Sequence, residues 1–202
     1  MSNCYPHIIR ENSAPTDPPP ASGIHWIDES TGMEYFSIGT TSVSDWLPRQ
    51  VLIREKLYCN QITAQLGITD SDTILILDNE AINTNNTVMD CSTPGEIVIN
   101  KDGLFELDIR ITADTADGAR RTSETRLQRD GGGGWLDVPQ TEGSSKCYGY
   151  HRNNASGENT SSSKILINVT SGDKFRYIIK CLNNGGQIDT VPAGTSVTVK
   201  EM

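Results

Sequence analysis

No stretch of this 202-residue chain approaches the roughly 18 consecutive apolar residues that a membrane-spanning helix requires, so insertion by a helical span is not expected. Positive charge is also short: 17 Lys and Arg stand against 26 Asp and Glu, a formal net charge of −9. A polyanion meets net repulsion from such a surface, which argues against nucleic acid as a partner. The amino end, MSNCYPHIIRENSAP, lacks the charged start and apolar stretch of a signal peptide, and this predicts a protein made and kept in a cytoplasm. In that setting the five cysteines, Cys4, Cys59, Cys91, Cys147 and Cys181, odd in number and without a CxxC pair, are expected to be free thiols. On the same ground the Asn-x-Ser/Thr matches at Asn85, Asn154, Asn159 and Asn168 read as chance.

The usual carriers of catalysis are missing as well. His7, His25 and His151 lie far apart, with no HxxxH or HExxH spacing that would place two ligands on one helix face. The acidic turns at residues 70–72 and 112–117 match no EF-hand loop. There is no GxSxG elbow and no local pairing of Cys with His. Gly131, Gly132, Gly133 and Gly134 have no GK[ST] or GxGxxG frame around them and read as a flexible loop tip. A glycosidase carboxylate pair would need a larger scaffold with a long cleft. No catalytic residue, metal or cofactor is therefore assigned, and the chain is not expected to be an enzyme.

What is present is β-patterning behind a proline-rich arm. In APTDPPPASG, Pro18, Pro19 and Pro20 fix φ and remove donors, so roughly the first twenty residues should run extended. Residues 24–28 and 33–38 then read as a hairpin. The stretch 24–46, IHWIDESTGMEYFSIGTTSVSDW, gathers Trp26, Tyr35, Phe36 and Trp46 although only 6% of the chain is aromatic. A segment of that length cannot cover such rings alone, so Trp26, Asp28, Tyr35, Phe36 and Trp46 are expected to form an attachment interface. The competing reading is a cap folded back on the rest of the chain. Residues 49–72 read as a linker, with 51–67 either a short helix or coil. From residue 73 onward the period is two: in GLFELDIRIT, Phe105, Leu107, Ile109 and Ile111 face one way while Glu106, Asp108 and Arg110 face the other. Similar runs in EIVIN, KILINVT, KFRYIIKC and TSVTVKEM predict an all-β, antiparallel sandwich or barrel. Phe105 and Tyr177 are candidates either for its core or for a subunit interface. Gly132, Gly133, Trp135, Asn154 and Asn159 are candidates for exposed binding loops, because binding residues favour loops on a rigid scaffold.

Two resemblances follow from these residues. PGEIVINKDGLFELDIRI, then LINVTSGDKFRYII with its turn at Gly172 and Asp173, then GTSVTVKEM, resemble in order the jelly-roll heads of the tumour necrosis factor and complement globular-head superfamily. That resemblance implies an antiparallel jelly-roll sandwich that assembles as a homotrimer. The pattern made by Trp26, Asp28, Thr31, Gly32, Tyr35, Gly39, Ser42, Asp45 and Trp46 is similar to a segment near the amino ends of tailed-bacteriophage tail-fibre and other virion proteins. Together they imply a virion component with an arm and attachment hairpin at 1–48, a linker at 49–72 and a head at 73–202. Its expected partners are its own copies, other virion proteins (capsid, portal or tail) and a host surface glycan. With no shaft visible between residues 48 and 73, a compact knob or capsid decoration is favoured over a long tail fibre. A carbohydrate-binding lectin-like module and a glycan hydrolase are the alternatives.

Overall fold

Apolar residues at every second position suit a sheet with one dry face and cannot suit a helix. Accordingly, the computed structural model, which describes residues 8–30, 33–49, 55–140, 144–152 and 158–202, contains strands joined by turns and short 3-10 segments. The chain divides into two compact units, residues 1–53 and 54–202.

In the first unit, β1 (Ile8–Glu11), β2 (His25–Asp28), β3 (Met33–Ser37) and β4 (Trp46–Arg49) form one sheet in that order. The expected hairpin is β2–β3, and β4 continues it antiparallel. β1 runs parallel to β2, from Ile8 beside His25 to Glu11 beside Asp28. A parallel neighbour needs a long connection, and the proline-rich arm supplies it. The step into β4 is a 3-10 turn, Val43–Asp45, closed by a capping box: the Ser42 hydroxyl accepts from Ser44 N while the Asp45 carboxylate accepts from the Thr41 and Ser42 amides. This is the physical content of the S-x-x-D-W spacing.

The second unit contains β5 (Lys56–Asn60), β6 (Thr73–Ile74), β7 (Asn79–Asn83), β8 (Met89–Asp90), β9 (Ile97–Ile99), β10 (Gly103–Thr115) and β11 (Arg121–Asp130). It continues with β12 (Leu136–Asp137), β13 (Lys146–His151), β14 (Asn159–Val169), β15 (Asp173–Cys181), β16 (Ile188–Thr190) and β17 (Ser196–Glu201). One sheet has the order β14-β10-β17-β5-β7, with β16 also on β10. The other runs β12-β11-β15-β9-β8, with β13 on β11 and β6 on β15. Neighbours in both are antiparallel, as in EIVIN and GLFELDIRIT the alternation required.

Between the sheets lies a single core. Phe105, Leu107, Ile109 and Ile111 from β10 join Leu127 of β11 and Phe175, Tyr177 and Ile179 of β15. Phe105 and Tyr177, candidates for a subunit interface, are 0% and 3% exposed within one chain, so neither can meet a partner. Their place on the dry phase of their strands commits them to the sandwich interior, where each large side chain contributes about 1.5–3 kcal/mol. Burial also holds the Tyr177 hydroxyl far above the usual phenol range.

Two further expectations are corrected. The reading of 49–72 as a linker fails at β5, which lies between β17 and β7 with Leu57 and Cys59 fully buried. No helix occurs among the described residues of 51–67, and 51–54 lie outside them. The expectation of free thiols fails for Cys59 and Cys91, which form a disulfide across 32 residues of sequence. Cys147 and Cys181 are free and buried, and Cys4 lies outside the described residues. Cysteine spacing says nothing about which strands fold brings together, and only the compartment argument had set pairing aside.

Candidate interaction surfaces

The aromatic residues of the first unit find cover inside it. The Trp26 indole donates to the Ser13 carbonyl at 2.8 Å and the Trp46 indole to the Asp17 carbonyl at 2.9 Å. The two rings stand edge to face, 5.8 Å apart, and Pro15, Pro19, Ile24 and Trp46 are buried. The premise that this segment cannot cover its own rings is thus corrected: it treated the arm as a spacer, whereas the arm lies along the tryptophans. Asp28 is buried too, its carboxylate accepting from Ser30 N at 2.9 Å and Ser30 Oγ at 2.6 Å, which makes it a turn anchor. Tyr35 is half-buried between Trp26 and Pro48 in register. Phe36 is the exposed member at 37% and, with His25, Leu47 and Pro48, lines an open cavity of about 370 Å³.

On the head, the β11–β12 loop exposes Gly132 and Gly133. Asp130 Oδ1 ties that loop by accepting from Gly132 N at 2.8 Å and Gly134 N at 2.9 Å. Trp135 is half-buried, with the Arg176 guanidinium 4.2 Å from its ring centroid. A neighbouring cavity of about 350 Å³ is walled by Arg129, Leu136, Val138, Pro139 and the loop glycines. Arg129 is itself engaged, pairing with Asp173 and donating to the Asn168 carbonyl at 3.2 Å. Asn159 is exposed but is the first residue of β14, opposite Ala113, so its assignment to a loop is corrected. Asn154 lies outside the described residues.

The outward face of the β11–β15 sheet is organised by Arg126, whose side chain is 8% exposed. It pairs with Asp72, and donates to Asp137 Oδ1 at 3.0 Å and Glu124 Oε1 at 3.4 Å. Its hydrogen bond holds the Asp72 carboxyl below the ordinary range. Partial burial pushes the Asp137 carboxyl up, but hydrogen bonds from Gln128 and Arg126 outweigh it and the net shift is downward. The acidic turn at 70–72 is therefore answered by an arginine, and Asp117 of the other acidic turn pairs with Arg121 in the same way. No group of three or more His, Cys, Asp or Glu side chains placed to hold a metal occurs among the described residues.

The opposite outward face, on the β10–β14 sheet, carries residues that alternation alone did not single out. Leu104, Leu166 and Met202 are 41%, 49% and 42% exposed. Met202 N donates to the Leu104 carbonyl at 3.0 Å, and Leu104 stands opposite Asn168, which puts Leu166 diagonally beside it. Glu106 next in line accepts from Lys164 and Lys200, each at 3.2 Å. A signal was available in sequence: Leu104 and Leu166 are apolar residues in the wet phase of strands whose other wet positions include Glu106, Asp108, Arg110, Ser162, Lys164 and Asn168.

No protein-family model matches the chain, and no curated protein matches it. Solved structures do. Murine APRIL at pH 5.0 superposes with a TM-score of 0.54 at 11% identity, covering 74% of this chain and 99% of its own. Murine APRIL at pH 8.0 gives a TM-score of 0.53 at 13% identity with the same coverage of both chains. Eiger TNF from S. frugiperda is more distant, with a TM-score of 0.47 at 11% identity, covering 74% of this chain and 92% of its own. The head thus has an antiparallel jelly-roll fold like that of murine APRIL.

Proposed function

We propose that the chain is a homotrimeric structural protein of a bacteriophage particle, docked through its N-terminal module and presenting the jelly-roll head outward, where its loops meet a host surface glycan. The observation that carries the trimer is the exposed apolar triplet Leu104, Leu166 and Met202 on a sheet face otherwise laced with ion pairs. Closed threefold packing removes such a patch from water and shields the β14 edge of its sheet. The virion assignment rests on the W-x-D-x-x-T-G…S-x-x-D-W pattern, whose Ser42 and Asp45 form a capping box and whose tryptophans are the module's centre.

Sedimentation velocity of the full chain tests the trimer: the wild type should run at three times the chain mass and Leu166→Asp at one, with an unchanged far-ultraviolet spectrum. A wild type that stays monomeric at tens of micromolar overturns it. Mass spectrometry of purified particles tests the location, and absence of the chain from them removes the virion reading.

A further inference from the structure

Three side-chain donors grip the arm at every fourth residue. The Trp26 indole holds the Ser13 carbonyl, the Trp46 indole that of Asp17, and the Ser37 hydroxyl that of Ala21 at 2.8 Å. Midway between these points Pro15 and Pro19 are buried, while residues 16–18 remain exposed. Indole N–H groups directed at the main-chain carbonyls that flank buried prolines suit an extended proline-rich strand, which loses little entropy on binding because its backbone is already stiff. Each contact reads a carbonyl or a proline ring. None depends on the arm being joined to the β2 beside which it lies.

The joint itself is suited to opening. Gly23, immediately before Ile24, has φ +84°, a conformation that L side chains rarely adopt, and a Cβ there would project into open space. β1 adds only four residues of parallel pairing, at one edge of the sheet.

We propose that the groove formed by Trp26, Trp46 and Ser37 is a site for an extended, proline-containing strand, and that in the assembled protein the arm of a second copy fills it. Rotation at Ser22 and Gly23 carries the arm outward with the contacts at Ser13, Pro15, Asp17, Pro19 and Ala21 preserved. Each groove is refilled by an identical strand, so exchange sacrifices only the bond at the joint from Gly23 N to the Ser37 carbonyl at 2.9 Å, and the entropy of bringing copies together is already met where heads associate. The inference rests on the proposed trimer only for that proximity.

The test uses wild-type chain in a 1:1 mixture of 13C,15N-labelled and unlabelled protein, unfolded together in urea with the disulfide intact and then refolded. Exchange predicts isotope-filtered Overhauser contacts between the Asp17 main chain of one copy and the Trp46 indole of another, in roughly half of the grooves, the share random mixing gives. These contacts should vanish in a full chain carrying Pro15→Ser and Pro19→Ser that still sediments as a trimer. A trimer with contacts only inside each chain overturns exchange and leaves the trimer standing. A monomer overturns both. Release of the arm by an added polyproline peptide, with no contacts between copies, assigns the groove to a foreign ligand and likewise overturns exchange.

Discussion

His151 is 1% exposed, with its Nε2 2.9 Å from Ser123 Oγ. The site admits nothing larger than Gly149 beside it: a Cβ there would meet Ser123 Oγ at 2.7 Å and the imidazole at 3.0 Å. Burial pulls the His151 pKa below its ordinary 6.5, and the backbone of Ala113 and the charge of Asp114 oppose this without reversing it. Below pH 6.5 the unfolded chain therefore takes up a proton that the native ring refuses. Stability conferred by the neutral ring is complete above that pH and drains away as pH falls through the depressed native value. The melting temperature should drop between pH 7 and 5.5, and His151→Gln should flatten that drop, as a thermal series over both proteins will show. Arg126 offers a second contrast. Removing it leaves the Glu124 carboxylate, whose side chain is 11% exposed, with only the longer pairs to Lys180 at 3.8 Å and Lys146 at 4.0 Å, so Arg126→Ala should cost about 1–2 kcal/mol in urea unfolding. Lys164, 53% exposed, also bridges two carboxylates, yet Lys164→Ala should cost about 0–1 kcal/mol, because water screens pairs at the surface.

Among the elements, β5 is held twice, by its ladders and by the bond from Cys59 to Cys91 just beyond β8 in the opposite sheet. Closing a loop of 32 residues restricts the unfolded chain by about 3–4 kcal/mol in the chain-entropy description. Cys59→Ser with Cys91→Ser, or dithiothreitol, should therefore shift the urea midpoint downward by a corresponding amount, measured against untreated protein. β10 and β14 were legible in sequence because eleven pairs of residues keep one phase with one face dry. β5 was not, since only Leu57 and Cys59 mark its phase, and Tyr58 between them is aromatic as well. Alternation reports which side chains share a face; it does not report whether a second sheet or a second chain covers that face. For that reason Phe105 and Tyr177 stood open to two readings, and Leu104 and Leu166 passed unnoticed.

At the level of the whole molecule, strand phases pointed to an antiparallel sandwich or barrel, and the order of the runs, through its resemblance to known jelly-roll heads, selected between them. The N-terminal module was less legible. Its hairpin followed from composition, but its fourth and parallel strands depend on contacts between Trp26, Trp46 and an arm whose prolines signal only extension. The candidate surfaces were legible to an uneven degree: the two tryptophans of the module stood out by composition, whereas the outward apolar patch of the head did not, because Leu104 and Leu166 occupy wet positions of their strands.

The bond between Cys59 and Cys91 also sets a mechanical limit. Tension applied at the amino end of the head reaches β5 first and can unzip it from β17 only as far as Cys59, where the load passes covalently into the other half of the sandwich. Lys56, Leu57 and Tyr58 are then the β5 ladder residues ahead of that clip, so a pull at this end frees three residues before the two sheets have to part together.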